Sequence, residues 1–168
     1  MLLELLSEPR FNFIPSEQKS FMLAFDEEME MNGYGFGENI GSGYCWGKYM
    51  LIYRKKGVKS ERVYARVYLR VPMIVFRLFL NDIDKHRAFI ENSAPYIKEV
   101  FTGPQAQCQH CHNDKNGSCR FRKSYMLENQ YFEKCTGLTF EFHNPSVEKL
   151  PGYLGLFLEF YPPKTHNG

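Results

Sequence analysis

The sequence lacks the features of a membrane or exported protein. Its longest apolar runs, such as Val71 to Leu80, are interrupted by proline and arginine and stop short of the roughly 20 residues that span a bilayer. Glu4 lies inside the apolar N-terminal stretch and no basic region precedes it, so we expect no signal peptide. Because the five cysteines are an odd number, we expect a reducing cytoplasm, where metal binding or free thiols are favoured over disulfides. We expect no membrane partner.

Common catalytic and phosphate-binding motifs are also missing. The chain has no dinucleotide-binding fingerprint, no phosphate-binding loop, no Gly-x-Ser-x-Gly elbow and no His-Glu-x-x-His motif. Two groups place carboxylates beside histidine, an arrangement that can do acid–base work. These groups are Glu141 with His143, and Asp82 and Asp84 with His86. No nucleophile or second carboxylate lies near them at the spacing of a known catalytic motif, so the sequence makes no positive case for an enzyme.

The composition predicts one soluble globular domain spanning residues 1–168. The chain has 168 residues, of which 43% are hydrophobic and 24% are charged, as in ordinary globular proteins. Aromatic residues are abundant at 16%, which favours a sheet-rich core or an aromatic-lined pocket. The net charge of +2 is too small by itself to predict a polyanionic partner.

The hydrophobic pattern predicts an α+β fold, an antiparallel sheet with helices packed over it. A helix over 16–31 would bury the stripe Gln18, Phe21, Met22, Phe25 and Met29. Strands over 48–56, 62–71 and 73–80 would form a meander, with the third strand central because both of its faces are mostly apolar. We expect a glycine-rich loop over 33–47, helices over 82–91 and 95–101, a strand over 138–143, and a helical region after 144 that breaks at Pro151-Gly152.

Four cysteines form the strongest chemical pattern, in an insert over about 104–136. Cys108 and Cys111 have the Cys-x2-Cys spacing, and Cys119 and Cys135 flank a predicted hairpin over 120–134. Thiolates from two chain segments are typical of a closed structural zinc site. The hairpin has few apolar residues, so we expect a zinc-clipped β-hairpin satellite that a metal stabilises where packing cannot.

Other interpretations of this cysteine pattern stay open. His110 or His112 could replace one cysteine as a ligand, and the spacing is also that of disulfide oxidoreductases, although the strand and helix of that site are missing. An iron–sulfur cluster or free thiols are further alternatives. We expect the fifth cysteine, Cys45, to be a small buried hydrophobic residue beside Trp46.

A second pattern is the Arg/Tyr face, the alternating side chains of the second predicted strand. Its members are Arg62, Tyr64, Arg66, Tyr68 and Arg70. Such a face can stack bases and pair phosphates, or hold an aromatic or anionic ligand. It can equally be a solvated face, or one covered by the acidic first helix. We favour coverage or a pocket, and expect Trp46, Tyr64, Arg66, Tyr68 and Arg70 to be the ligand-binding residues.

Two segments resemble known proteins. The hairpin KYMLIYRKKGVKSERVYARVYLR resembles the GyrI-like small-molecule-binding group. The segment CQHCHNDKNGSCRFRKSYMLENQYFEKCTGLTFEFHNP is similar to uncharacterised cytoplasmic proteins of Gram-positive anaerobes. The first resemblance implies a cleft for a small aromatic or cationic molecule in a sensing role. We therefore expect a non-enzymatic, small-molecule-binding protein with a structural Zn²⁺, the alternative being a nucleic-acid-binding module that uses the Arg/Tyr face and a basic zinc hairpin.

Overall fold

The structure, a computed structural model, describes residues 1–103, 119, 122–134 and 139–163. The helices within these residues are α1 (Leu2–Leu6), α2 (Ser16–Met31), α3 (Arg87–Glu91), α4 (Pro95–Thr102) and α5 (Leu150–Phe160). The strands are β1 (Tyr34–Gly35), β2 (Gly41–Ser42), β3 (Tyr49–Lys55), β4 (Ala65–Leu69), β5 (Val75–Phe79), β6 (Lys123–Leu127), β7 (Gln130–Lys134) and β8 (Thr139–His143). Short 3₁₀ helices occur at Pro9–Phe11, Tyr44–Trp46 and Ile83–His86. None of the described helices has the length and apolar character needed to cross a bilayer.

The main sheet is antiparallel, which confirms the predicted α+β class. β3, β4, β5 and β8 lie side by side in that order, and the two-residue strands β1 and β2 both pair with β3. β5 lies between β4 and β8, so the third predicted strand is interior as expected. The segments 56–64 and 70–74 connect β3 to β4 and β4 to β5 without a helix, and both strand pairs are antiparallel, as the meander pattern predicts.

One face of this sheet carries the hydrophobic core. The ring of Phe76 in β5 lies 5.8 and 4.8 Å from the rings of Phe21 and Phe25 in α2, and 5.3 Å from that of Tyr153 in α5, measured between centroids. The predicted apolar stripe of α2 is fully buried. Because this stripe packs on the apolar face, α2 does not cover the Arg/Tyr face, and the expectation that it does so is wrong.

The glycine-rich segment is more ordered than a simple loop. Residues 33–47, predicted as loop, contain β1, β2 and the 3₁₀ helix Tyr44–Trp46. The side chain of Cys45 lies on the surface of this helix and is exposed, so the expected burial of Cys45 is wrong. In the same segment, the side chain that is buried in the core is that of Ile40.

The helix α5 runs through the predicted break. Pro151 and Gly152 lie in its first turn, where proline is tolerated because the amides there have no partner within the helix. The buried residues of α5 are Leu150, Tyr153, Leu156 and Phe157. The helical spacing of the sequence predicts one apolar face formed by Val147, Leu150, Leu154, Phe157, Leu158 and Tyr161. Leu154 and Leu158 are only partly buried and Val147 is exposed, whereas Tyr153 and Leu156, which lie outside that predicted face, are buried.

The hairpin β6–β7 is present where the sequence predicts it, with Glu128 and Asn129 at positive φ in the turn. Its Tyr125, Leu127 and Phe132 are buried in the main core. The hairpin is therefore part of the domain, and the expectation of a satellite with too little apolar surface is wrong.

Polar contacts also tie this hairpin to the preceding helices. The carboxylate of Asp84 accepts a hydrogen bond from the backbone N–H of Met126 at 2.9 Å, and this bond lowers the pKa of Asp84. The carboxylate of Glu91 accepts a second bond from the backbone N–H of Glu128 at 2.6 Å. The attachment therefore combines apolar packing with charge-assisted hydrogen bonds.

Two glycines of α5 provide a matched test of the α4–α5 contact. A Cβ at position 152 would collide with the hydroxyl of Tyr96 and lie 2.8 Å from its Cζ, whereas a Cβ at position 155 would meet Phe89 at an ordinary 3.7 Å. Alanine stabilises a helix by about 1 kcal/mol relative to glycine. Gly155→Ala is therefore expected to raise the free energy of unfolding.

Gly152→Ala is expected to lower the free energy of unfolding by about 1–3 kcal/mol, because the ring of Tyr96 must move and lose its hydrogen bond to the carbonyl of Lys149. Urea unfolding of both variants checks this pair of predictions. Equal stabilisation by the two substitutions would contradict the close α4–α5 contact.

Candidate functional site

The face of the sheet opposite the helices carries a group of interacting arginine and aromatic side chains. We call Trp46, Arg66, Tyr68 and Arg77 the arginine–aromatic cluster. The register places Arg66 of β4 directly opposite Arg77 of β5, and Arg77 directly opposite Glu141 of β8. Since side chains on one face of a sheet recur at every second residue, these neighbours share a face without any contribution from the loops.

Arg77 is the centre of this cluster. Its guanidinium carbon lies 4.7 Å from the ring centroid of Trp46 and 5.0 Å from that of Tyr68, and the guanidinium forms an ion pair with Glu141. Arg77 is only 5% exposed. Its charge is thus compensated by one carboxylate and two aromatic faces, which a buried guanidinium requires.

Arg66 has a different environment. Its Nη1 donates a hydrogen bond to the hydroxyl of Tyr68 at 3.3 Å, and its guanidinium carbon lies 5.3 Å from the ring centroid of Phe79. Two arginines directly opposite each other on a sheet repel. The ion pair between Arg77 and Glu141 reduces this repulsion.

A tight loop places Trp46 over the cluster. A Cβ at Gly43 would lie 2.7 Å from the carbonyl carbon of Gly47, and a Cβ at Gly47 would lie 2.9 Å from the carbonyl oxygen of Leu69. The backbone N–H of Lys48 donates a 2.9 Å hydrogen bond to that same carbonyl oxygen. Glycine is therefore required at both ends of the loop, and the loop is fixed to the end of β4.

The structure brings together three of the five predicted ligand-binding residues, namely Trp46, Arg66 and Tyr68. Tyr64 precedes the first residue of β4, and its ring packs instead against Tyr34 and Tyr161 at the edge of the main core. The five side chains of the Arg/Tyr face therefore do not share one surface.

The remaining predicted residue, Arg70, follows the last residue of β4 and is partly buried. Tyr68 is only 1% exposed, so its ring has no free face on which a base could stack. Trp46, Arg66 and Arg77 surround this ring, and not the acidic helix α2 that the coverage prediction named.

A cavity of about 520 Å³ lies beside the cluster, at the β8 edge of the sheet. We call it the β8 cavity. It is lined by Tyr96, Glu99, Val100 and Gly103 of the α4 region, Lys134 of β7, Glu141, Phe142 and His143 of β8, and Lys149 and Tyr153 at the start of α5. Burial raises the pKa of Tyr153, so its hydroxyl is a neutral group near pH 7.

Glu141 links the cavity to the cluster. One carboxylate oxygen of Glu141 pairs with Arg77, and the other lies 3.4 Å from Nε2 of His143. The sequence predicts that Glu141 and His143 share a strand face, and the structure confirms it. Sequence reasoning missed the role of Arg77, since it appeared only as an interruption of an apolar run.

The other predicted carboxylate–histidine group does not form a site. His86 contacts Glu159 at 3.0 Å and stacks on Phe160. Asp82 pairs with Lys85, and Asp84 binds the hairpin. Each side chain therefore has a local structural partner.

A second cavity of about 510 Å³ lies between α2, the segment after β1 and the end of β3. Burial raises the pKa of Asp26 there, although the hydroxyl of Tyr53 donates to this carboxylate at 3.0 Å. Glu30 forms an ion pair with Lys56 at the same cavity. Two of the three carboxylates that line this cavity, Asp26 and Glu30, therefore have a partner within it or beside it.

Three of the predicted zinc ligands, Cys108, Cys111 and Cys135, lie outside the described residues, as do His110 and His112. Cys119 is described and is partly exposed. Among the described residues, no three side chains of histidine, cysteine, aspartate or glutamate form a metal-binding group.

The ion pair between Arg77 and Glu141 is expected to be important for stability. Glu141→Gln removes the charge opposite a buried guanidinium and should lower the free energy of unfolding by about 1.5–3 kcal/mol. The matched control is Asp82→Asn, which removes the exposed Asp82–Lys85 pair and should cost less than about 0.5 kcal/mol. Chemical denaturation measures both values, and a similar small loss in the two variants would show that the Arg77 pair is unimportant.

No family model, curated protein or solved structure matches this chain. The resemblances to the GyrI-like group and to proteins of Gram-positive anaerobes therefore stay predictions.

Proposed function

We propose that this protein is a non-enzymatic domain that binds a small molecule in the β8 cavity. The observation that carries the proposal is the cavity itself, about 520 Å³ in volume, with an aromatic wall and several charged groups. Sites for small ligands commonly have volumes of about 300–1,000 Å³ and combine apolar walls with a few positioned polar groups.

The walls of the cavity are fixed by the fold. Tyr153 is 2% exposed and packs on Phe76 and Phe142 of the sheet. Tyr96 donates a hydrogen bond from its hydroxyl to the carbonyl of Lys149 at 3.2 Å. These contacts hold aromatic groups at set positions, which lowers the entropic cost of binding a ligand.

The nucleic-acid alternative has less support. It depends on stacking of bases on Tyr64 and Tyr68, and these rings pack against protein groups in two separate places. The β8 cavity is also a concave site of the size that suits a small molecule, rather than an extended groove.

Filling the cavity should abolish ligand binding. Val100 is partly buried and lines the cavity, so Val100→Phe occupies part of its volume. We expect native mass spectrometry of the purified wild-type protein, or a thermal-shift screen of aromatic fragments, to identify a bound small molecule that Val100→Phe does not bind.

The control for this test is Val58→Phe, at an exposed position outside the cavity, which should bind normally. Circular dichroism verifies that both variants fold. Wild-type protein that binds none of the fragments and carries no small molecule would contradict the proposed function.

We also propose that Cys108, Cys111, Cys119 and Cys135 bind one structural Zn²⁺. Lys123 and Lys134 are paired at the open end of the β6–β7 hairpin. In the sequence, Cys119 precedes Lys123 by four residues and Cys135 directly follows Lys134, so two of the four cysteines flank the hairpin along the chain. Four thiolates supply the complete ligand set of a closed structural site.

Purified protein should contain about one zinc per chain by elemental analysis under reducing conditions. Cys119→Ser should lower this content, whereas Cys45→Ser, at an exposed cysteine outside the pattern, should retain it. Because the hairpin contributes to the main core, chelation should lower the melting temperature of the whole domain. Protein without a transition metal would refute the site, and a visible absorption band would indicate an iron–sulfur cluster instead.

A further inference from the structure

We propose that the ligand of the β8 cavity is a small aromatic carboxylate, its anionic group bound at the end of the cavity formed by His143 and Lys149. This inference rests on the proposed function and names its ligand class. It depends on the charges that line the cavity, on their partners, and on the shape of the aromatic wall.

Lys149, the residue before α5, is a cationic group of the cavity lining. Its Nζ lies 3.4 Å from the carbonyl oxygen of Asn144 and 5.9 Å from the ring centroid of Tyr96. Among the described residues no carboxylate lies within ion-pair distance of it. A partly buried ammonium with only a carbonyl and an aromatic face as partners retains a charge that an anion can compensate.

His143 also lines the cavity, and it precedes Asn144, whose carbonyl contacts Lys149, in the chain. Nε2 of His143 lies 3.4 Å from Glu141. Since the charge of Glu141 is already balanced by Arg77, this carboxylate repels an incoming anion less than an unpaired one would.

The other lining charges agree with an anionic ligand. Lys134 is 7% exposed, and its ammonium lies 4.9 Å from the ring centroid of Phe140. Glu99 is the second carboxylate of the lining, and it is exposed on α4, where water screens its charge. The two carboxylates of the described lining, Glu99 and Glu141, are therefore screened by water or compensated by Arg77.

The aromatic wall indicates the rest of the ligand. The rings of Tyr96 and Tyr153 are perpendicular, with centroids 5.7 Å apart, and the ring of Phe142 lies 4.9 Å from that of Tyr153. Tyr153 and Phe142 are each 2% exposed and form the buried base of this wall, so a planar ligand ring would contact the partly buried ring of Tyr96. The ammonium of Lys149 matches the single charge of a carboxylate better than the double charge of a phosphate monoester.

Isothermal titration calorimetry at fixed pH and ionic strength tests this inference with defined probes. The probes are benzoate, indole-3-acetate, phenyl phosphate, benzylammonium and benzyl alcohol. We expect at least one of the two carboxylates to bind about tenfold more tightly than the neutral and cationic probes, because a charge-assisted contact forms at Lys149. Tighter binding of phenyl phosphate would overturn the choice of carboxylate.

Two variants of opposite sign separate an anionic from a cationic ligand. Lys149→Met should weaken carboxylate binding about tenfold, and Lys149→Arg should restore most of the loss. Glu99→Gln should strengthen carboxylate binding about twofold, since it removes a screened negative charge. Lys85→Met, an exposed lysine outside the cavity, is the control and should leave binding unchanged.

The results also distinguish failure of this inference from failure of the proposed function. Benzyl alcohol binding that Val100→Phe abolishes, with no effect of Lys149→Met, would keep the cavity as a ligand site and overturn the carboxylate. Benzylammonium binding that Glu99→Gln weakens would likewise overturn it. Absence of binding for every probe would count against both proposals.

Discussion

The two-residue period of β-strands divides this protein into two different environments. Every second side chain of β3, β4, β5 and β8 points to α2 and α5, and these positions hold the large apolar residues grouped around Phe76. The intervening positions must lie on the opposite face, and three of them are Arg66, Arg77 and Glu141. Packing on one side therefore dictates which charged groups meet on the other.

The charge of Arg77 on this second face is stabilised by partner side chains rather than by contact with water. Arg77 is nearly inaccessible to water, and it has Glu141 and two aromatic rings as its partners. The same carboxylate extends toward His143 and the β8 cavity. The ion pair consequently stabilises the sheet. It also affects the electrostatic potential of the neighbouring cavity, because Arg77 compensates the negative charge that Glu141 contributes to the cavity lining.

The sequence predicted the elements whose periodicity is strong. Phe21, Met22, Phe25 and Met29 recur at helical spacing, and α2 begins and ends where this pattern does. The strand alternation around Val67 likewise placed β4 correctly in the sheet. These features depend on local repetition alone, and they are readable from one chain.

The features that the sequence did not predict depend on contacts between distant segments. The pairing of Arg77 with Glu141 requires the register between β5 and β8, which no local pattern specifies. Burial of Tyr125 and Leu127 requires the docking of the hairpin on Phe101 and Phe140, which the local sequence of the hairpin does not specify. The β8 cavity is likewise formed by side chains from four separate parts of the chain.

The position of the single tryptophan has an optical consequence. Trp46 is the only indole in the chain, and its ring lies against the guanidinium of Arg77. Indole emission responds to nearby charge and to hydration, so the fluorescence of this one residue is sensitive to the state of the Arg77–Glu141 pair. Since Glu141 also lines the β8 cavity, the fold places a natural fluorophore two contacts away from the cavity interior.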